Sequence, residues 1–239
     1  MTSQHRNNSA PVISFRNVTF SYDKLPIIKH ASFDVFPGEF VGVIGPNGGG
    51  KTTALKLILR FLKPQDGEVF SVGSIGYVPQ INSYDKQFPI TVQEVVMTGC
   101  LSKMSLLGKY PKEAYEKGEE LLETFQLHKL KNQAFGSLSG GQAQKALIAR
   151  ALISDPETLL LDEPTANIDA QTEKQIFAFL KKLKGEKTIL IVTHNFDAII
   201  KNVERVLCFQ HEVSSIQPKD VCKHFSMGMY HQTEVPPHE

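Results

Sequence analysis

The feature that most restricts the fold of this chain is a glycine-rich loop placed between an apolar run and a helical pattern. The apolar run at residues 40–44 reads Phe-Val-Gly-Val-Ile, and it leads directly into the loop at residues 45–53. Beyond the loop, residues 52–62 are apolar on most faces of a helix, and Pro64 ends that helix. A buried strand that passes through such a loop into a helix is typical of a parallel α/β sheet. The sequence therefore predicts an α/β fold with this loop at one edge of its sheet.

The composition of the loop is that of a phosphate-binding site, because it matches the pattern Gly-x-x-x-x-Gly-Lys-Thr in full. Glycines let successive backbone N–H groups converge on phosphate oxygens, and the following helix adds its positive N-terminal end. We expect Lys51 to reach the β- and γ-phosphates and the Thr52 hydroxyl to help hold Mg²⁺. The alternative is a glycine-rich turn with an incidental lysine. The residues expected to contact the nucleotide are Gly45, Pro46, Asn47, Gly48, Gly49, Gly50, Lys51, Thr52 and Thr53.

A second apolar strand, at residues 158–161, delivers two carboxylates, Asp162 and Glu163, at its C-terminal end. Ligands meet an open parallel sheet at that end of its strands. Asp162 suits an outer partner of Mg²⁺, which prefers oxygen ligands. Glu163 suits a general base that activates a water molecule. Two acids at the end of a strand could also be an exposed turn.

Elsewhere the chain alternates between strand and helix patterns. Strand alternation covers residues 12–35, helical patterns dominate about residues 82–154, and strands return at residues 158–161 and 188–192. Strands that alternate with helices predict a mostly parallel sheet, here interrupted by an all-helical insertion. The helix between the last two strands is amphipathic, with one stripe formed by Ile176, Phe179, Leu180 and Leu183.

The strand and helix patterns also divide the chain into three parts. Residues 1–11 are predicted to be a flexible N-terminus, residues 12–211 a nucleotide-binding domain, and residues 212–239 a C-terminal tail, because the pattern fades after residue 211. Four potential metal ligands lie in the tail, at Cys222, His224, His231 and His238. Their spacing matches no closed zinc site. A loosely ordered tail and a metal sensor are both open.

The most specific element is Ser139-Gly140-Gly141-Gln142, which lies between the phosphate-binding loop and the acidic pair. Ser139 can cap a helix, and a helix start with glycines and a hydroxyl is a second anion-binding surface. In this order the three motifs closely resemble the ATP-binding cassette, the motor subunit of ABC transporters. An ordinary capped helix is the alternative for the tetrapeptide alone.

This resemblance implies a RecA-like P-loop NTPase core, an N-terminal antiparallel β subdomain and an inserted all-helical subdomain. It also implies that ATP and Mg²⁺ are the cofactors. The surface at Ser139–Gln142 would bind the γ-phosphate held by a second copy of the chain, so that two copies enclose two ATP molecules head to tail. Glu163 would then be the catalytic base of ATP hydrolysis.

Four single residues gain a role only through the resemblance. Gln80, in Tyr-Val-Pro-Gln, is similar to the glutamine that approaches Mg²⁺ and links the site to the permease, and His194 is similar to the catalytic switch histidine near the γ-phosphate. Asp169 matches an aspartate at the dimer seam, and Tyr22 matches the aromatic residue that stacks on adenine. Without the resemblance, His194 would be a capping or surface histidine and Tyr22 a core residue.

The sequence around residues 77–92 and 165–169 resembles that of the ABC importers of manganese, zinc and iron in bacteria. This implies a peripheral subunit at the cytoplasmic face of the bacterial membrane, with an integral membrane permease and an extracytoplasmic solute-binding protein as partners. The sequence contains no stretch that approaches the roughly 18 apolar residues needed to span a bilayer, and its first twelve residues contain no apolar signal-peptide core. Three widely spread cysteines indicate a reducing compartment.

Three alternatives are open at this point. The solute could instead be chelated iron or cobalamin, because such cassettes carry the same catalytic motifs. A soluble ABC protein that acts on ribosomes or DNA is disfavoured, since the chain has one cassette and a net charge of only +1, so no nucleic acid partner is expected. A regulator that binds but does not hydrolyse nucleotide would lack Glu163 or His194, and both are present.

Overall fold

The computed structural model describes residues 10–23, 25–80, 85–105, 107–210 and 212–221. Within these residues the chain forms nine strands and six α-helices. The strands are β1 (Ile13–Tyr22), β2 (Leu25–Val35), β3 (Phe40–Ile44), β4 (Asp66–Ser71), β5 (Ile75–Val78), β6 (Thr158–Asp162), β7 (Thr188–Val192), β8 (Arg205–Gln210) and β9 (Glu212–Ile216). The helices are α1 (Lys51–Ile58), α2 (Val92–Met97), α3 (Lys112–Thr124), α4 (Gly140–Leu152), α5 (Ala170–Leu183) and α6 (Phe196–Asn202).

The centre of the molecule is a six-stranded sheet in the order β5-β6-β7-β3-β8-β9. All pairings are parallel except β8 with β9, which is antiparallel. Every residue of β3, β6 and β7 is buried, as expected for short apolar strands covered on both faces. The prediction of an α/β fold with a mostly parallel core is confirmed.

A smaller antiparallel sheet in the order β2-β1-β4 packs beside the core. Aromatic side chains fill the space between the two sheets, because Phe15 stacks on Phe33 with ring centroids 4.4 Å apart and Phe33 meets Phe209 of β8 edge-on at 5.9 Å. This sheet is the antiparallel subdomain that the resemblance implied. Its contact with β8 fixes the β1–β2 hairpin next to the glycine-rich loop.

From Val92 to Leu152 the regular elements are helices, and they lie between β5 and β6 in the sequence. Gly99 shows how closely they pack, since a Cβ at this position would lie 1.8 Å from the backbone oxygen of Arg150 in α4. Only glycine allows this approach of the short 3₁₀ helix after α2 to α4. The insertion therefore packs tightly against the C-terminal part of α4, the helix that Ser139 caps at its other end.

The six-stranded sheet extends past the domain boundary predicted at residue 211. Strand β9 pairs with β8 from Val206↔Ile216 to Gln210↔Glu212, so the boundary was placed too early. The strand has an exposed, partly polar edge with the sequence Glu-Val-Ser-Ser-Ile, which leaves little apolar periodicity to detect. Cys222, His224, His231 and His238 lie outside the described residues. Among the helices that the structure describes, none has the length and apolar character to cross a membrane.

Candidate functional site

A cleft of about 610 Å³ opens at the carboxyl ends of the parallel strands. Strands β6, β7 and β3 are neighbours in the sheet, and because they run parallel, the segments that follow them meet at one edge. The loop after β3, Gln80 after β5, Glu163 after β6 and His194 after β7 all reach this cleft. The residues that line it are Tyr22, Ile27, Asn47, Gly48, Gly49, Gly50, Lys51, Thr52, Thr53, Gln80, Glu163 and His194.

The glycine-rich loop turns sharply between β3 and α1, and two of its glycines are required by geometry. Gly45 has φ 153°, and a Cβ there would lie 2.1 Å from the backbone oxygen of Phe209. Gly50 is the N-cap of α1 with φ 98°, a left-handed conformation that side chains disfavour. The N–H of Gly49 donates to the Pro46 carbonyl at 3.1 Å. The loop therefore wraps tightly around the entrance to the helix, with the helix N-terminus facing the cleft.

Lys51 is the buried cation of this loop. Its Nζ donates to the carbonyl oxygens of Gly45 at 2.8 Å and Pro46 at 2.9 Å. Burial lowers the pKa of Lys51, while the nearby Glu163 and Asp162 carboxylates raise it in part. An ammonium group has three donors, so two hold the side chain over the loop and one is left for an anion in the cleft.

Asp162 lies beneath the cleft and is only 1% exposed. Burial raises the pKa of this carboxyl, the hydrogen bond with the Thr52 side chain opposes that rise, and the Glu163 charge adds to it. Among the residues that the structure describes, its buried Oδ1 atom has no hydrogen-bond partner. A buried carboxylate oxygen without a partner, next to a hydroxyl at the start of α1, fits a divalent cation that takes oxygen ligands.

Glu163 is held at both carboxylate oxygens by residues that follow the two strands on either side of β6. The Gln80 side-chain amide donates to Oε2 at 2.7 Å, and His194 Nε2 lies 2.7 Å from Oε1. The backbone of Glu163 has φ 50°, which is unusual for a residue with a side chain, and its N–H donates to the Val192 carbonyl of β7 at 2.9 Å. Such a conformation persists only where the surroundings fix it. The carboxylate is therefore firmly aimed into the cleft.

Tyr22 lines the outer end of the cleft, together with Ile27. The residue is 41% exposed, and its ring meets that of Phe20 edge-on, with centroids 5.0 Å apart. One ring face can therefore accept a flat apolar ligand. Ile27 was missed by sequence reasoning, because an isoleucine in a strand carries no sign that it borders a ligand.

The segment at residues 139–142 lies outside this cleft. Ser139 caps the 13-residue helix α4 through a capping box, in which Ser139 Oγ accepts from the Gln142 N–H at 3.3 Å and Gln142 Oε1 accepts from the Ser139 N–H at 3.0 Å. Ser139 and Gly140 are exposed, and Gly141 is buried against Thr172. No residue of this segment is among those that line the cleft. Within one chain, the structure does not bring the segment to the phosphate-binding loop.

Asp169 also lies away from the cleft lining. It is the N-cap of α5, where its side chain accepts from the N–H groups of Gln171 at 3.0 Å and Thr172 at 2.9 Å. The hydrogen bond from the Thr172 hydroxyl is the main cause that lowers the pKa of Asp169. The aspartate thus fixes the start of α5. The preceding loop lies near Gly140, because a Cβ added at Gly140 would be 3.6 Å from the backbone oxygen of Asn167.

The comparisons with known proteins agree with this arrangement. The model of the ABC transporter family matches residues 28–166. A protein of Chlamydia trachomatis named "Probable metal transport system ATP-binding protein" is 48% identical over 188 residues, which cover 75% of this chain and 80% of that protein. The high-affinity zinc uptake system ATP-binding protein ZnuC of Bacillus subtilis is 36% identical and is matched over 82% of this chain and 90% of its own length.

A solved dimeric structure of a bacterial ABC transporter cassette superimposes with a TM-score of 0.76 at 30% identity. The match covers 86% of this chain and 98% of that cassette. The fold, the motif order and these relatives agree over most of the chain. This chain belongs to the ATP-binding cassette family of transporter ATPases.

Proposed function

We propose that this chain hydrolyses ATP to power the uptake of a divalent metal ion, namely manganese, zinc or iron. The observation that carries the ATPase part is that Lys51 and Glu163 line one cleft above the buried Asp162. Together they supply a free anion donor, a carboxylate base and a cation ligand. The metal is supported by the relatives, whose names describe metal transport and zinc uptake.

In this proposal ATP lies along the cleft with its adenine ring on Tyr22 and its phosphates over residues 45–53. The glycines leave room for backbone N–H groups to donate to phosphate oxygens, and the third donor of Lys51 reaches the β- and γ-phosphates. The Thr52 hydroxyl, Asp162 and the Gln80 carbonyl oxygen would hold Mg²⁺, which neutralises charge on the phosphates when it is bound. Bound Mg²⁺ would also give the buried Oδ1 atom of Asp162 a partner.

Glu163 acts as the general base. A carboxylate accepts the proton of an attacking water molecule only if one of its oxygens is available. Both Glu163 oxygens are engaged here, one by the Gln80 amide and one by His194. The Gln80 amide therefore has to turn away when Mg²⁺ and ATP enter, which frees Oε2, while His194 stays near the γ-phosphate and stabilises its developing charge.

A second copy of the chain completes each site. The start of α4, where Ser139 and Gly140 are exposed and Gly141 and Gln142 follow, offers N–H groups and a hydroxyl to an anion. This surface is outside the cleft of its own chain, so we infer that it contacts the γ-phosphate bound to the partner copy. Asp169 lies close to the same surface and would contribute to the seam. ATP binding then draws two copies together, and hydrolysis lets them separate.

The membrane permease is expected to dock on a groove of about 420 Å³ in the helical insertion. Apolar side chains are exposed there, and Phe88 is 58% exposed. The groove is lined by Phe88, Pro89, Ile90, Gln93, Glu94, Met97, Thr98, Tyr110 and Tyr115. Exposed apolar surface of this kind is typical of a protein interaction site.

Backbone hydrogen bonds link this groove to the segment that precedes Ser139. The Phe135 N–H donates to the Ile90 carbonyl at 2.8 Å, and the Val92 N–H donates to the Gln133 carbonyl at 3.0 Å. Displacement of residues 88–92 by a permease would therefore move the start of α4.

The proposed location is the cytoplasmic face of a bacterial membrane, with a solute-binding protein on the opposite side and no role for nucleic acid.

Cellular metal content tests the proposal. Bacteria that produce the unmodified chain should contain more of one metal, measured as total manganese, zinc and iron, than bacteria that lack it. Glu163→Gln serves as the inactive control and should match the deletion, because it keeps the fold but removes the base. Equal contents of all three metals in the three strains would contradict metal uptake and leave the ATPase assignment standing.

A further inference from the structure

The turn that carries His194 is fixed by the residue that follows it. Asn195 is half-buried and caps α6, where its Oδ1 accepts from the Ala198 N–H at 3.0 Å. Its backbone N–H donates to the Thr193 hydroxyl at 3.1 Å. Its side-chain amide Nδ2 donates to Glu173 Oε1 at 2.8 Å. Both functional atoms of the Asn195 side chain therefore have partners, and one partner belongs to a different helix.

Glu173 lies in the first turn of α5, directly above the loop that carries Asp169. Its backbone N–H donates to the Asp169 carbonyl at 3.0 Å. Its side chain is not among those that line the cleft, and the mechanism described above does not use it. Its contact with Asn195 connects the start of α5 to the turn at residues 193–195.

We propose that Glu173 is a positioning residue that acts through Asn195 to hold His194 against Glu163. The turn begins at the buried Thr193, at the end of β7, and is fastened to α5 at Asn195, so the backbone of His194 is fixed on both sides. Its imidazole then reaches Glu163 at 2.7 Å. Because Asp169 caps α5, a shift of its loop at a dimer seam moves His194 through the hydrogen bond between Glu173 and Asn195. This inference rests on the proposed function, since it concerns the geometry of the same catalytic site.

The chemistry of the pair determines the test. An ionised Glu173 only accepts hydrogen bonds, so Asn195 has to present its amide N–H₂ to it. Asn195→Asp keeps the helix cap, because aspartate caps helices as well as asparagine does, but it places two carboxylates against each other. Adding Glu173→Gln restores a hydrogen bond with donor and acceptor exchanged. The single change removes only the link to α5, and the double change rebuilds it.

The experiment measures Mg·ATP hydrolysis by the purified full chain for Asn195→Asp, Glu173→Gln and the double variant. Asn195→Asp should lower kcat about tenfold, the size of coupling seen between contacting polar groups, with the KM for ATP and the melting temperature little changed. The double variant should recover most of kcat. Glu173→Gln alone should lose less kcat than Asn195→Asp, because its side-chain oxygen can still accept from the Asn195 amide. Lys174→Ala, the neighbouring exposed residue of α5, is the matched control and should have no effect.

The ¹H–¹³C NMR signal of the His194 imidazole provides a readout that does not depend on turnover. Once assigned by its absence in His194→Ala, this signal should shift in Asn195→Asp and return in the double variant. A double variant as slow as Asn195→Asp, or a signal that stays in place in Asn195→Asp, would overturn the positioning role. If the unmodified chain hydrolyses no ATP, the proposed function fails, whereas the NMR signal still decides whether Glu173 positions His194.

Discussion

Glu163→Gln should lower the rate of ATP hydrolysis by about 10²–10⁴-fold, the usual contribution of a general base, while ATP binding is retained. The amide is nearly isosteric with the carboxylate, so one oxygen can still accept from Gln80 and the backbone at φ 50° is unchanged. What is lost is the basic oxygen that takes the proton of the attacking water molecule. The phosphate-binding loop and Lys51 are untouched, which is why binding persists.

Steady-state phosphate release and equilibrium binding of a fluorescent ATP analogue check this prediction together. Glu186→Gln is the matched control, because it is the same substitution at an exposed residue of the loop after α5. It should leave both quantities unchanged. Turnover by Glu163→Gln at the unmodified rate would remove Glu163 from the role of base, and a loss of binding would indicate that the substitution disturbs the loop.

Lys51→Ala should instead weaken ATP binding. A hydrogen bond to a charged group contributes about 1.5–3 kcal/mol, which corresponds to roughly a 10- to 150-fold rise in Kd. The variant also removes the donor that holds the carbonyl groups of Gly45 and Pro46, so the loop is less well ordered for phosphate. Because the pKa of Lys51 is lowered by its burial, removal of the cation also removes a desolvation cost, and we expect no large loss of folding stability.

Isothermal titration calorimetry with ATP, together with a thermal melt, measures both effects. Lys29→Ala removes the same charge from an exposed position in β2 and should bind ATP as the unmodified chain does. A Kd for Lys51→Ala within about twofold of the unmodified value, well below the loss expected for a charged hydrogen bond, would count against the phosphate cradle.

The core of the fold could be predicted because its strands are short, apolar and followed by polar motifs. Residues 188–192 are predicted as a strand and are found as β7 with the same bounds. Helix α1 is shorter than the predicted residues 52–62 and ends at Ile58. Arg60 adopts φ 60°, and the Phe61 N–H turns back to the Lys56 carbonyl at 2.9 Å. Such a left-handed end is usual at glycine, so an arginine gave no signal for it.

In helix α5, the periodicity of apolar residues did not predict the whole buried face. The predicted stripe is correct for Ile176 and Leu180, which are 1% and 0% exposed. It omits Phe177, which is 4% exposed, and includes Phe179, which is only partly buried and packs against Phe125 with centroids 4.6 Å apart. The helix contacts both the sheet and the helical insertion, so its buried face is wider than one stripe.

The membership of the candidate site was predicted better than its internal contacts. Motif order and the resemblance indicated Gln80, Glu163 and His194, and all three line the cleft. The contacts of Gln80 and His194 with Glu163 depend on which strands are neighbours in the sheet. The spacing of the motifs along the sequence does not determine that order. The same is true of the bond between Glu173 and Asn195, since neither residue belongs to a recognised motif.

The proposed mechanism requires ATP to join two copies of the chain at the surface formed by Ser139. The direct measurement is the mass in solution of Glu163→Gln, by sedimentation, with Mg·ATP, with Mg·ADP and without nucleotide. We expect a dimer with Mg·ATP only. When Ser139→Glu is added, we expect a monomer under all three conditions, since a carboxylate would repel the γ-phosphate. A monomer of Glu163→Gln with Mg·ATP, or a dimer that survives Ser139→Glu, would contradict the proposed mechanism.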